Sequence, residues 1–200
     1  MSLHAHLTSL FAAGHAQAAI PAYEDWRPLP ETPLRPAAVL IAVTDRPDHP
    51  AGPGVLMIHR SSHMRAHPGQ AAFPGGKLDA GETPIEAALR EANEELGIDP
   101  ARVQVIGASD QYRTGTGYDI TPVLAVIPPD LPLQPNPAEV AGWFEPPLGH
   151  VLDSANQTNH TGEWNGRKGS YIEILWQEHR IWGVTAGIIA NLSKRMRWHG

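Results

Sequence analysis

Residues 75–98 read GGKLDAGETPIEAALREANEELGI. Two glycines, Gly75 and Gly76, open a short polar loop that leads to Thr83-Pro84. Thr83 fits an N-cap, Pro84 fits the first helical position, and Glu86 completes a capping box. Gly97 suits the left-handed residue that ends a helix. The spacing predicts a helix over 84–96 whose two ends are fixed by local chemistry. At about 100° per residue, Ile85, Ala88, Leu89, Ala92 and Leu96 form one stripe for the core. Glu91 and Glu95 then fall within roughly 40° of each other, and Glu94 lies farther around the helix.

Like charges at i,i+4 cost a few tenths of a kcal/mol on an open helix and more where the surroundings are partly dry. A hard divalent cation offsets such a cost, and Mg²⁺ typically takes one or two protein carboxylates together with water and phosphate oxygens. The glycines upstream let the backbone turn tightly and approach a ligand. Taken alone, the three glutamates suit a solvated acidic helix face better, with Arg90 pairing to Glu86 or Glu94 at i,i+4 spacing.

Outward from this helix, the 200 residues suffice for one domain with a short appendage and a sizeable core. With no cysteine there is no disulfide frame, thiolate metal site or thiol nucleophile. A net charge of −6 and a pI near 6.0 exclude a general nucleic-acid binder. No apolar run reaches the roughly 18–20 residues of a membrane span, and residues 1–19 make a poor signal peptide, so a soluble cytoplasmic protein is expected. Residues 2–18 read as helical. Residues 19–35, with four of the twenty prolines, read as an extended arm packed on the domain. Strands are expected over 37–43, 54–59, 103–107, 120–127, 139–144 and 170–176, and helices over 148–152 and 183–198. The division is an N-terminal helix and proline-rich arm over 1–35 and a domain over 36–200. Strands and helices that do not alternate regularly point to α/β or α+β layering.

The segment Gly76 to Ile98 as a whole resembles the Nudix box: a glycine, a glutamate after five residues, then Arg-Glu, an apolar residue, any residue, Glu-Glu, any residue, glycine and an apolar residue. Here these are Gly76, Glu82 and Arg90-Glu91-Ala92-Asn93-Glu94-Glu95-Leu96-Gly97-Ile98, with every fixed position present. The resemblance implies a mixed β-sheet sandwiched between α-helices, with the box forming a loop–helix–loop. It also implies that Glu91 and Glu95 bind Mg²⁺ or Mn²⁺, and that Glu94 is a further ligand or the base. Arg90 belongs to the catalytic box, where it and Glu82 would brace the loop and helix.

Leu56 to Gly76, with its Arg60-Ser61, Met64-Arg65, His67, Gly69-Gln70 and Phe73-Pro74-Gly75-Gly76, is similar to the stretch before the box in the coenzyme A diphosphatases of that family. So are Thr114 to Val123, Pro147-Leu148 with Leu152 to Asn156, and Ile181 to Ala186. This implies hydrolysis of coenzyme A or its thioesters, with ADP-ribose, NADH or a non-catalytic nucleotide-binding role as rival readings. Arg60, Arg65 and His67 can supply positive charge or donors to phosphate oxygens, and Gln70 can serve a polar ligand. Tyr118 can stack on adenine, and the tryptophans, among them Trp143, Trp176 and Trp182, are read as packing. Gly142 stands where the subgroup suggests an acidic residue, which leaves Glu139 and Glu145 as nearby carboxylates and Glu139 as the alternative base. The expected partners are the small-molecule substrate, coenzyme A or acyl-CoA, with neither nucleic acid nor membrane and with homodimerisation left open.

Overall fold

The computed structural model describes residues 1–18, 23–62 and 69–198. In chain order the elements are α1 (Leu3–His15), β1 (Arg35–Thr44), β2 (Gly54–Val55), β3 (Met57–Arg60), β4 (Ala71–Ala72), β5 (Gly75–Lys77) and α2 (Pro84–Leu96). There follow β6 (Gln104–Ala108), β7 (Tyr112–Arg113), β8 (Tyr118–Ile127), β9 (Val140–Phe144), α3 (Leu148–Leu152), β10 (Thr158–Trp164), β11 (Arg167–Trp176), β12 (His179–Trp182) and α4 (Val184–Met196).

Strands β1 and β8 form the centre. They run parallel, in register from Arg35 opposite Tyr118 to Thr44 opposite Ile127. Both are nearly continuous apolar runs, as strands covered on both faces must be. Ala38, Leu40 and Ala42, with Val123, Ala125 and Ile127, pack on Ala88, Ala92 and Leu96 of α2. The alternate residues Ile41, Val43, Leu124 and Val126 face the other way, into a core shared with Leu7 of α1 and Ile188 and Leu192 of α4. The sheet is therefore mixed and lies between helices, as expected. Its order is β2-β1-β8-β6, with β5 antiparallel to β1 and β7 to β8.

The box helix has the predicted bounds. Thr83 accepts the Glu86 N–H, the Glu86 carboxylate accepts the Thr83 N–H, and Gly97 closes the helix at φ 70°. Its buried side is turned from the expected stripe: Ala87 and Glu95 are buried, while Ile85 and Leu89 are only partly so. Small side chains on both surfaces, Ala87, Ala88 and Ala92 against Ala38, Ala42 and Ala125, let the helix seat closely on the sheet, and the larger side chains move to its edges.

Two smaller sheets, β4-β3-β9 and β10-β11-β12, flank the centre. His59 of β3 and His179 of β12 join them through a 2.9 Å hydrogen bond, with Phe144 stacked on His179. Strands β4, β5, β7, β10 and β12 were not among the expected elements. β10 is polar and lacks an apolar alternation, yet it pairs with β11 from Thr158 opposite Glu173 to Trp164 opposite Arg167. The intervening Asn165-Gly166, both at positive φ, is the strongest short hairpin signal in the chain.

Helix α1 packs on α4 and β6. Arg195 of α4 donates from Nη1 to the carbonyls of Gly14 and Gln17, each at 2.8 Å, and pairs with Asp110. Leu7 is fully buried in the main core. Leu7→Ala is expected to destabilise the whole protein by roughly 2–5 kcal/mol, the range for a core leucine, in one cooperative urea transition. A loss below about 1 kcal/mol would make α1 an appendage.

Candidate active site

The three box glutamates end in different surroundings. Glu95 is 1% exposed, and its Oε2 accepts the Gly75 N–H at 3.0 Å. Glu91 accepts from Arg90 Nη1 at 3.0 Å, and its carboxylate lies so near Gly76 that any Cβ there would collide with it. A Cβ on Gly75 would likewise strike the Ala38 carbonyl. The two glycines thus let β5 fit between β1 and the carboxylates. Glu94 is turned away: its side chain is 52% exposed, pairs with Arg90 Nη1 at 3.0 Å and does not line the cavity described below.

Arg90 braces the box. Its Nε donates to Glu82 Oε1 at 2.9 Å and its Nη2 to the Lys77 carbonyl at 2.9 Å, while Nη1 serves both Glu91 and Glu94. The hydrogen bond to Glu82 raises the guanidinium well above its ordinary range and lowers the Glu82 carboxyl. One arginine so fixes the loop before the helix to its second and third turns.

Glu91 and Glu95 line a cavity of about 830 Å³ together with Glu139, Arg60, Gln70 and Tyr118, within the roughly 300–1,000 Å³ of small-molecule sites. Burial pushes the Glu95 carboxyl up to about 8; the Gly75 N–H and the Arg60 charge pull against this, and the charges of Glu91 and Glu139 add to it. Burial also raises the Glu91 carboxyl, with Arg90 opposing and Glu94 and Glu139 reinforcing. Glu139, just before β9, accepts from Asn136 Nδ2 at 3.4 Å. Arg60 has a buried Nε without a hydrogen-bond partner among the described residues. Tyr118 carries the Arg35 guanidinium over its ring, 4.1 Å from the centroid. Arg65 and His67 lie outside the described residues. Glu145 is tied to Arg46 and Thr44, away from the cavity.

Among the described residues, no three His, Asp or Glu side chains already enclose a point where a metal ion could sit. The donor chemistry still suits a hard divalent cation. Glu91, Glu95 and Glu139 offer oxygens alone, and a cation would relieve the mutual repulsion of buried carboxylates.

Several lining residues escaped the sequence reading: Lys77 and Asp79 within the box, Tyr112, and the segment from Tyr23 to Arg27. Trp182, read as packing, also lines the cavity. No motif marks the arm, and its position depends on contacts with residues far along the chain. Among the described residues no helix is long and apolar enough to cross a membrane.

Residues 33–164 match the NUDIX domain. This chain belongs to the Nudix family. "Uncharacterized Nudix hydrolase NudL" of Escherichia fergusonii is 44% identical over 167 residues, 80% of this chain and 81% of that protein. The NudL of Escherichia coli strain K12 is 43% identical over 167 residues, with the same two coverages of 80% and 81%. The crystal structure of a Nudix hydrolase from M. smegmatis, RenU, is similar at 27% identity and a TM-score of 0.50, over 60% of this chain and 74% of that one. The present Nudix protein is accordingly a hydrolase of diphosphate bonds, with support for a nucleoside-diphosphate type of substrate. Nudix hydrolases generally use divalent ions such as Mg²⁺ or Mn²⁺.

The raised Glu95 carboxyl has a consequence for stability. The folded state holds this proton up to about pH 8, whereas the unfolded chain releases it near the ordinary value of 4.5. Stability of the metal-free protein should therefore fall as pH rises between these values. Glu91 acts in the same sense; Asp25, whose carboxyl is held low by Arg27 against the effect of burial, acts only in acid. Urea midpoints from about pH 5 to pH 8 should decline in the wild type and flatten in Glu95→Gln. An unchanged slope in the variant would remove Glu95 as the buried proton holder.

Proposed function

We propose that this Nudix hydrolase cleaves the diphosphate of coenzyme A or its thioesters, giving (acyl-)phosphopantetheine and adenosine 3′,5′-bisphosphate. The observation that carries this reading is one cavity that contains both the box carboxylates and a long wall of aromatic and aliphatic residues. A substrate with a central diphosphate and an extended, largely uncharged arm matches it. The stretch from Leu56 to Gly76, similar to that of coenzyme A diphosphatases, supports the same choice.

Glu91 and Glu95 hold the divalent ion, Mg²⁺ or Mn²⁺. When bound, such an ion neutralises charge on phosphate oxygens and makes water more acidic. Arg60, with a buried Nε free of protein hydrogen bonds among the described residues, donates to a phosphate oxygen. Glu139 takes the proton of the attacking water, because it lines the cavity while Glu94 is turned to Arg90. Gln70 contacts a polar group of the substrate, and Tyr118 offers a ring face to the adenine. Arg65 and His67, by their charge and ring nitrogens, add donors for phosphate oxygens. Arg90 and Glu94 keep the helix in place.

Kinetics with coenzyme A, ADP-ribose and NADH test the substrate. Coenzyme A or an acyl-CoA is expected to give the highest kcat/KM, and faster turnover of either rival would overturn the assignment. Glu95→Gln should lower kcat by more than the roughly 10–100-fold that loss of a supporting contact costs, with the circular dichroism spectrum intact. Glu139→Gln should lower kcat with little change in KM, and Glu94→Gln should do less. The reverse order would return the base to Glu94.

A further inference from the structure

The part of the cavity built away from the box has a different make. Its wall is residues 23–27, and the chain there is fixed at three points. Asn191 of α4 accepts the Tyr23 N–H and donates to the Tyr23 carbonyl, both at 2.9 Å. Asp25 accepts the Gly115 N–H at 2.8 Å and pairs with Arg27 at 2.6 Å. The Trp26 indole occupies a recess left by two glycines of the β10–β11 hairpin: a Cβ on Gly169 would fall within the ring system, and one on Gly162 would touch its edge.

Ile172, Val184 and Ile188 complete the apolar surface. Several of the polar groups beside them are already engaged. The Asp25 carboxylate is shared between Arg27 and Gly115, Thr114 Oγ1 accepts the Tyr118 N–H at 3.0 Å, and Thr185 Oγ1 donates to the Ala71 carbonyl at 3.1 Å. A ligand group entering here meets ring faces and hydrocarbon with few unmet hydrogen-bond partners, which disfavours a polar occupant. Glu24 and Glu163 also line the cavity and are exposed, so the accessible charge on this side is negative and repels a phosphate.

We propose that this chamber takes the uncharged, apolar tail of the substrate, the acyl group of a thioester, and that Trp26 is the residue that sets which tail fits. The proposal rests on the coenzyme A reading above and adds that acyl thioesters are preferred to the free thiol. The bisphosphate end then lies away from the acidic rim.

Two measurements test it, one of them independent of the coenzyme A reading. Octanoyl-CoA should exceed coenzyme A in kcat/KM by about tenfold or more, since a single methylene in an apolar pocket already discriminates by that much. The ratio should collapse toward one in Trp26→Ala through KM for the octanoyl substrate. Val184→Phe, which narrows the chamber without disturbing the Trp26 recess, should penalise octanoyl-CoA more than acetyl-CoA. Calorimetry with geranyl monophosphate and inorganic phosphate provides the independent arm. Geranyl monophosphate should bind at least about tenfold more tightly, and the advantage should shrink in both variants. If no coenzyme A compound is hydrolysed but geranyl monophosphate keeps this advantage, the substrate reading fails and the apolar chamber stands. Equal binding of the two phosphates, or an octanoyl preference unchanged in both variants, overturns the proposal.

Discussion

Two carboxylates on successive turns of one helix, Glu91 and Glu95, are drawn into the protein and face a common cavity. Charge buried in this way is unfavourable unless paired or protonated, and the surrounding structure is arranged around that constraint. The Gly75 N–H meets Glu95, and Arg90 meets Glu91. Neither contact fully offsets burial, since both carboxyls remain raised. The residual tension is what a hard cation would relieve, and the capping box and Gly97 keep it from relaxing by fraying the helix.

The sheet supplies the rigid side of the same arrangement. Because β5 pairs antiparallel with β1, Gly75 and Gly76 are held over Ala38 and Val39, directly beside the helix that carries the glutamates. A side chain at either glycine would push β5 off the sheet or Glu91 out of place. The parallel β1–β8 pair then extends from this point to Tyr118 at the cavity and to the covered core between α2 and α4. Stability and site geometry share one set of contacts, so the box cannot be loosened without disturbing the core.

Much of this was legible in sequence wherever local chemistry fixed the answer. The helix 84–96 carries its start and stop signals within itself, and the Nudix spacing names its carboxylates. What could not be read was the rotation of that helix on the sheet. It depends on small residues in β1 and β8, remote in sequence, and it decides that Glu95 is buried while Glu94 faces solvent and Arg90. The β10–β11 hairpin was readable from Asn165-Gly166 but was hidden by the polar strand before it. The prolines mark Tyr23 to Arg27 as part of an extended arm packed on the domain, but nothing marks it as a cavity wall, because Asn191, Gly115 and Gly169 hold it, residues some ninety or more positions away.

The proposal that Glu91 and Glu95 share a divalent ion carries the rest. Titration of Mn²⁺ into the protein, followed by the loss of the free-ion electron paramagnetic resonance signal at pH 8, measures this directly. Saturable binding in the wild type, weakened at least about tenfold in both Glu91→Gln and Glu95→Gln, is the expected result. Binding of the same strength in both variants would contradict it.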